Sequence, residues 1–247
     1  MDRANRIIRE ILAELRSRVR PGVTTFDIDR FAEDRIMAAG GVPAFKGYRG
    51  PAGGPGFPGT VCASVNDEVV HGIPSAEAVL REGDIVSVDL GVLLGGYYGD
   101  AAETYPVGKV HADTRSLLDV TRESLYLGVR EARPGNRVSD IGHAVQSHVE
   151  AHGFSVVREF VGHGIGSSLH EEPQVPNFGQ PGHGVRLVPG MVLAIEPMVN
   201  AGGPDVVVSA ADGWTARTRD GSLSAHFELS VAVTEDGPKV LGEPIGW

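Results

Sequence analysis

Residues 19–41 of the chain read VRPGVTTFDIDRFAEDRIMAAGG, and residues 132–154 read ARPGNRVSDIGHAVQSHVEAHGF. Pro21 matches Pro134, Gly22 matches Gly135, Asp27 matches Asp140 and Ile28 matches Ile141, all at an offset of 113. The likeness continues downstream with drifting offsets. VVHGIP from Val69 echoes VGHGIG from Val161, EGDIVSVDL echoes PGMVLAIEP, and GDAAETYPVG echoes FELSVAVTEDG. A period this long exceeds a solenoid unit. It describes two related halves, approximately 1–110 and 111–247. Helix-rich stretches are expected at roughly 4–20, 25–40, 113–132 and 137–152, each pair followed by strand-rich sequence. Helices and then strands, twice over, predict an α+β fold with helices packed on an antiparallel sheet. Two halves that face each other enclose a cleft.

The repeat also aligns acids. Asp89 falls opposite Glu196, and Asp100 falls near Glu228. In DIVSVDLGVLLGGYYGDAAETYPV, from Asp84, the pair Gly95-Gly96 is a two-residue hairpin signal between β-rich segments. That turn sets Leu94 opposite Tyr97, Gly91 opposite Asp100 and Asp89 opposite Ala102. Strand alternation then puts Asp89 and Asp100 on one face as diagonal neighbours, about 7–8 Å apart at the backbone. An arbitrary pair of acids at this spacing is a pair of solvated turn residues. Here Asp89 ends the apolar run of Ile85, Val86 and Val88, Glu196 ends the matching run MVLAIE, and Glu228 sits in the apolar strand AHFELSVAV. Charges placed so are costly to bury without a positive partner.

The stretch VGHGIGSSLHEEPQVP, from Val161, carries His163 and His170 seven residues apart. Three glycines within five residues exclude a helix, so a strand end runs into a loop here. A lone histidine in a β-rich protein is usually a core residue. His163 lies instead in a glycine-rich corner, in the half that supplies Glu196. Four carboxylates with one or two imidazoles form an oxygen-rich, sulfur-free donor set. It suits Mn, Fe(II) or Co, with Zn admissible, and its charge suits two ions better than one.

Composition is compatible with this reading. The 247 residues are 41% hydrophobic and 22% charged, ordinary for a globular chain. A net charge of −10 argues against nucleic-acid recognition. No apolar run approaches the roughly 18 residues of a membrane span. The N-terminal stretch lacks the pattern of a signal peptide, and Ile7, Ile8, Ile11, Leu12 and Leu15 give it an amphipathic helix. The single cysteine, Cys62, excludes an internal disulfide and suits a cytoplasmic setting.

Five segments in unbroken order, VCASVNDEVVHGIP, GDIVSVDLGVLLGGYYGDAAETYPVG, EFVGHGIGSSLHEEPQVPNF, PGMVLAIEPMVNAG and DGSLSAHFELSVAVT, strongly resemble the type I methionine aminopeptidases. The resemblance implies the pita-bread fold as a single catalytic domain over 1–247, whose pseudo-twofold matches the repeat. It implies a dinuclear metal site of Asp89, Asp100, His163, Glu196 and Glu228, with Asp100 and Glu228 bridging. Glu196 is also expected to move a proton, and His71 and His170 to contact substrate and share in catalysis. Tyr48, Phe57, Cys62 and Trp214 are the implied methionine-pocket residues. The implied partners are peptide or nascent-protein N-termini, with the ribosome as the expected setting and a monomer the default.

Three features depart from the family pattern. Residues 51–56, PAGGPG, lengthen the segment before the pocket, Leu229 stands where a histidine is typical, and His226 stands where a glutamine is common. Alternation points Leu229 away from Glu228. The competing readings are a proline-directed peptidase of the same fold, which normally carries a large extra N-terminal domain, and a catalytically dead binding protein, which usually loses metal ligands. Without the resemblance, a two-metal hydrolase of unknown substrate remains.

Overall fold

The computed structural model describes residues 1–50, 53 and 55–243. In chain order the first half holds helices α1 (Asp2–Arg18) and α2 (Thr25–Ala38) and strands β1 (Val42–Pro43), β2 (Val61–Val65), β3 (Glu68–Val70), β4 (Ile85–Leu94) and β5 (Tyr97–Pro106). The second half opens with α3 (Ala112–Glu131) and α4 (Val138–Ala151). Its strands are β6 (Ser155–Val156), β7 (Gly162–Gly164), β8 (Glu171–Val175), β9 (Val192–Ile195), β10 (Met198–Asn200), β11 (Val206–Val208), β12 (Ala216–Thr218), β13 (Ser224–His226), β14 (Glu228–Thr234) and β15 (Gly237–Val240).

The matched residues of the repeat perform matched tasks. Gly22 and Gly135 take φ of +90° and +94°, the left-handed turn for which glycine has no steric penalty. Asp27 accepts the Thr24 backbone N–H at 3.0 Å, and Asp140 accepts the Arg137 backbone N–H at 2.6 Å, so both acids cap the start of the second helix of their half. Ile28 and Ile141 are both buried, each in the core of its own half.

One antiparallel sheet spans both halves in the order β1-β4-β5-β14-β9-β7-β8, with β2 added to β4 and β15 to β14. The order is symmetric about the β5–β14 junction, where β4 and β9 are the flanking equivalents. Helices α1 and α2 cover the first half of one sheet face, where Ile8, Leu12 and Ile28 pack on Val86, Val88 and Leu90. Over the second half, Leu117, Ile141 and Val145 of α3 and α4 meet Leu193, Leu229 and Val231. Leu229 therefore belongs to the helix-covered face, as alternation requires. The opposite face is left for the site. Two small sheets, β13-β10-β6 and β11-β12-β3, stand beside it.

The stretch AHFELSVAV is not one strand. It breaks at Phe227, whose N–H turns to the Pro197 carbonyl at 3.4 Å, so His226 joins the small sheet while Glu228 opens β14. Among the described residues no helix is long and apolar enough to cross a membrane.

Candidate metal centre

The β4–β5 hairpin has the register read from its glycines: Leu94 opposite Tyr97, Gly91 opposite Asp100, Asp89 opposite Ala102. Gly95 and Gly96, with φ of 59° and 84°, form the turn. Long-range pairing extends this row. Glu228 pairs with Ala102 from the other side, so Asp89, Ala102 and Glu228 lie side by side on three strands. One row along, His163 pairs with Ala194, which pairs with Ser230. Asp100 lies two residues before Ala102, and Glu196 lies two residues after Ala194. Alternation puts all five groups on the face opposite the helices. Ala102, Ala194 and Ser230, all buried, give that face a low floor.

The three donors Asp100, His163 and Glu228 each offer a ligand atom, and those atoms lie within 4.8 Å of one another. Glu196 Oε1 is 3.5 Å from His163 Nε2. Its backbone carbonyl accepts the Asn177 side-chain amide at 2.9 Å. Asp89 Oδ1, Asp100 Oδ1 and Glu228 Oε1 are buried without hydrogen-bond partners. Orphaned buried carboxylate oxygens are costly, and a cation is the partner that relieves them. Protonation is their only other relief. Burial first, then the neighbouring acids, hold Asp89, Glu196 and Glu228 well above the ordinary carboxylate range, and burial pushes Asp100 up to about 7. The residues present thus fit divalent cations of oxygen and imidazole preference.

Close backbone approach places His163. A Cβ on Gly162 would meet the Ala194 carbonyl oxygen, and one on Gly164 the Glu172 carbonyl oxygen, so neither position accepts a side chain. The His163 ring donates its Nδ1–H to the Gly164 carbonyl at 2.8 Å. A carbonyl only accepts, so Nε2 carries the free lone pair and faces the acids. Burial lowers the pKa of this imidazole, which keeps it neutral.

His170 is arranged differently. It lies at the exposed rim, its ring 4.3 Å from that of His163, and its Nδ1 is 2.8 Å from the Tyr48 hydroxyl. The protein packed around it and then the imidazoles of His163 and His71 lower its pKa to about 4. His71 stands in the left-handed region at φ 61°, against Phe160 at 5.3 Å and Trp214 at 6.3 Å between ring centroids. Such a φ is uncommon outside glycine and marks a position held by its surroundings. Burial lowers the His71 pKa to about 4.

The four apolar residues singled out in the sequence come together beside this centre. Tyr48 and Phe57 face each other across a neck closed by Gly47 N–H to Phe57 O at 2.7 Å and Phe57 N–H to Tyr48 O at 2.8 Å. Residues 51, 52 and 54 of the lengthened segment lie outside the described residues, as part of the expectation placed on 51–56 does. The Phe57 ring meets Trp214 edge-on at 5.4 Å, and Cys62, paired with Asp89, is buried in the same cluster. Burial and then Asp89 hold the Cys62 thiol well above its ordinary pKa, so it is an apolar wall rather than a nucleophile.

Sequence reasoning missed Phe45, Ile165 and Leu169, which complete that cluster. The only sequence signal for the latter two was their place within the 161–176 stretch. A further omission is the position of His226. Thr104 Oγ1 accepts the His226 N–H at 2.9 Å and donates to its carbonyl at 2.7 Å. That clamp leaves the buried Nε2 without a hydrogen bond, 3.8 Å from Glu196 Oε2.

The family model for "Metallopeptidase family M24" matches residues 1–235. Methionine aminopeptidase 1 of Bacillus subtilis is 52% identical over 241 residues, covering 98% of this chain and 94% of that protein. The crystal structure of methionine aminopeptidase from Thermotoga maritima superimposes with a TM-score of 0.94 at 46% identity, covering 99% of this chain and 95% of that one. A prolidase from Pyrococcus furiosus shares the fold alone, with a TM-score of 0.75 at 20% identity, and this chain spans 63% of it. A pita-bread sheet, a carboxylate–imidazole centre and this extent of identity agree, and the chain belongs to metallopeptidase family M24, among its methionine aminopeptidases.

Proposed function

We propose that this chain removes the N-terminal methionine from peptides and nascent proteins whose second residue is small, as a metal-dependent hydrolase with two divalent ions. The observation that carries the reading is the convergence of Asp89, Asp100, His163, Glu196 and Glu228 on one sheet face beside an apolar cluster. Asp89 and Asp100 would hold one ion, His163 and Glu196 the other, and Asp100 and Glu228 both. Mn, Fe(II) or Co match the donor set best, and Zn is admissible. Ions held there would polarise the scissile carbonyl and lower the pKa of water.

The chain's own groups do the rest. Glu196 takes the proton of the attacking water and passes it toward the leaving amine. The Tyr48 hydroxyl holds the His170 ring by a hydrogen bond at Nδ1, and in the tautomer whose Nδ1 accepts that bond, Nε2–H is the donor to the developing oxyanion. His71, neutral and fixed against Trp214, contacts the scissile amide from the other side. Phe45, Tyr48, Phe57, Cys62, Leu169 and Trp214 receive the methionine side chain through apolar and sulfur–aromatic contact.

All five proposed ligands come from one chain over 1–247, which is consistent with a single catalytic domain acting as a monomer. The lone free cysteine suits the cytoplasm, where nascent N-termini leave the ribosome. A dead binding protein is disfavoured because no ligand position is lost. A proline-directed peptidase is disfavoured by the far greater identity to methionine aminopeptidases.

With Mn, Fe(II) or Co added, Met-Gly and Met-Ala peptides are expected to be cleaved at least roughly tenfold faster than Met-Arg, the preference this reading requires. An x-Pro-x peptide should not be cleaved. Equal kcat/KM for Met-Gly and Met-Arg refutes the specificity.

His226 is a positioning residue in the same reading, since its Nε2 faces Glu196. His226→Ala should lower kcat on the order of tenfold with little change in KM, and His226→Gln should restore most of it by offering an amide donor. Equal loss in both variants would reduce His226 to packing.

A further inference from the structure

Helices α3 and α4 carry a second histidine–carboxylate cluster, on the outer layer of the fold. His148 and His152 are four residues apart at the end of α4, with ring centroids 4.5 Å apart. Residues at this spacing share a helix face, the arrangement that lets two imidazoles chelate one ion. Glu123 of α3 reaches across the helix pair, its Oε2 3.2 Å from His148 Nε2. Gly128 lets the helices approach, since a Cβ there would touch Val145 Cγ2 at 3.0 Å.

The hydrogen bonding leaves the donor atoms free. His152 Nδ1 lies 2.8 Å from the His148 carbonyl, which can only accept, so His152 Nε2 keeps its lone pair. Ligand imidazoles are commonly oriented in this way. His148 Nε2 is buried and makes no hydrogen bond, because Glu123 lies off the required direction. Glu123 has no Lys or Arg partner among the described residues: nearby Arg122 pairs with Asp119 at 2.8 Å, and Arg158 sits 4.0 Å from Glu150.

We propose that His148, His152 and Glu123 form a transition-metal site that bridges α3 and α4, separate from the sheet-lined centre. Two imidazole nitrogens and one carboxylate oxygen suit Zn(II) or Ni(II), with water completing the coordination. The three ligand atoms are not yet within 4.8 Å of one another, unlike those of the first centre. His152 and Glu123 are exposed, and binding would draw both in around His148. The bound ion would cross-link the two helices and stiffen the layer behind β9 and β14.

Counting zinc tests this independently of peptide cleavage. The wild type, His152→Gln, His148→Gln and Glu123→Gln are saturated with Zn(II), freed of excess, and analysed for zinc per chain and for melting temperature. His152→Gln should hold one zinc fewer than the wild type and lose part of the zinc-induced rise in melting temperature, with unchanged kcat when assayed with Mn. His152 is exposed, so this variant remains decisive even if His148→Gln folds poorly. Glu123→Gln should bind the additional zinc more weakly. Equal zinc content and equal melting shifts in the wild type and His152→Gln overturn the site. Wild-type zinc affinity in Glu123→Gln overturns the bridge between the helices.

Discussion

Asp100→Asn and Glu228→Gln are each expected to reduce Met-Ala peptide cleavage to background and to lower bound metal per chain, while circular dichroism stays that of the wild type. Asp100 Oδ1 and Glu228 Oε1 are buried and unpartnered, so each substitution removes a proposed cation ligand. Strand pairing around them is made by backbone, and by Ser230 Oγ donating to the Asp100 carbonyl at 2.8 Å. Stability separates this from general damage. Metal added to the wild type at a hundredfold excess over its Kd stabilises the fold by about 2.7 kcal/mol, and the variants should lose most of that gain. Without metal the order reverses, because each variant relieves like-charge repulsion at a buried site.

The metal-free wild type should also respond to pH in a definite direction. Asp100 is raised to about 7, above the ordinary value for aspartate, and its three neighbours are raised as well. Groups raised on folding contribute stability at low pH and withdraw it as pH climbs through the folded value. Metal-free melting temperature should therefore fall as pH rises through about 7, less steeply in Asp100→Asn. Near-normal turnover with full metal occupancy in either variant would refute the bridging role. A metal-free wild type that gains stability across that range would refute the account of the charges.

The second large effect separates the two histidines. His163→Ala should weaken metal binding, because the imidazole whose ligand atom lies within 4.8 Å of those of Asp100 and Glu228 is gone. His170→Ala should leave metal content near that of the wild type and lower kcat by about 2.7–4 kcal/mol, a hundred- to thousandfold loss typical of a missing oxyanion donor. Tyr48→Phe should reproduce part of the His170 effect, since the phenol at 2.8 Å from Nδ1 holds the His170 ring in place. Metal titration beside peptide kinetics decides the matter. Loss of metal from His170→Ala equal to that from His163→Ala would sink the division of roles.

The repeat, the helix pairs and the β4–β5 register could all be read in advance because each depends on near neighbours in the chain. The Pro-Gly turn, the capping acids Asp27 and Asp140, and the Gly95-Gly96 turn act within a few residues of themselves. Alternation then carries Asp89 and Asp100 to one face without any tertiary knowledge. The acids at the ends of apolar runs were visible for a related reason: a charge in such a place needs a partner.

Other features had no local signal. The row from Asp89 through Ala102 to Glu228 depends on β14 lying beside β5, a pairing of residues far apart in the chain. Small residues under the centre, Ala102, Ala194 and Ser230, are unremarkable until that pairing puts them there. Phe45, Ile165 and Leu169 read as ordinary core residues, because an isolated apolar side chain looks the same in a core and in a pocket wall. The break at Phe227 that turns His226 toward Glu196 was hidden inside an apparently continuous strand. Sequence alone determined which elements form and which acids cannot stay unpartnered, since turns, caps and alternation are short-range physics. Only the tertiary structure decided which groups meet, since that depends on segments far apart in the chain being paired, as β14 is beside β5 and Tyr48 beside His170.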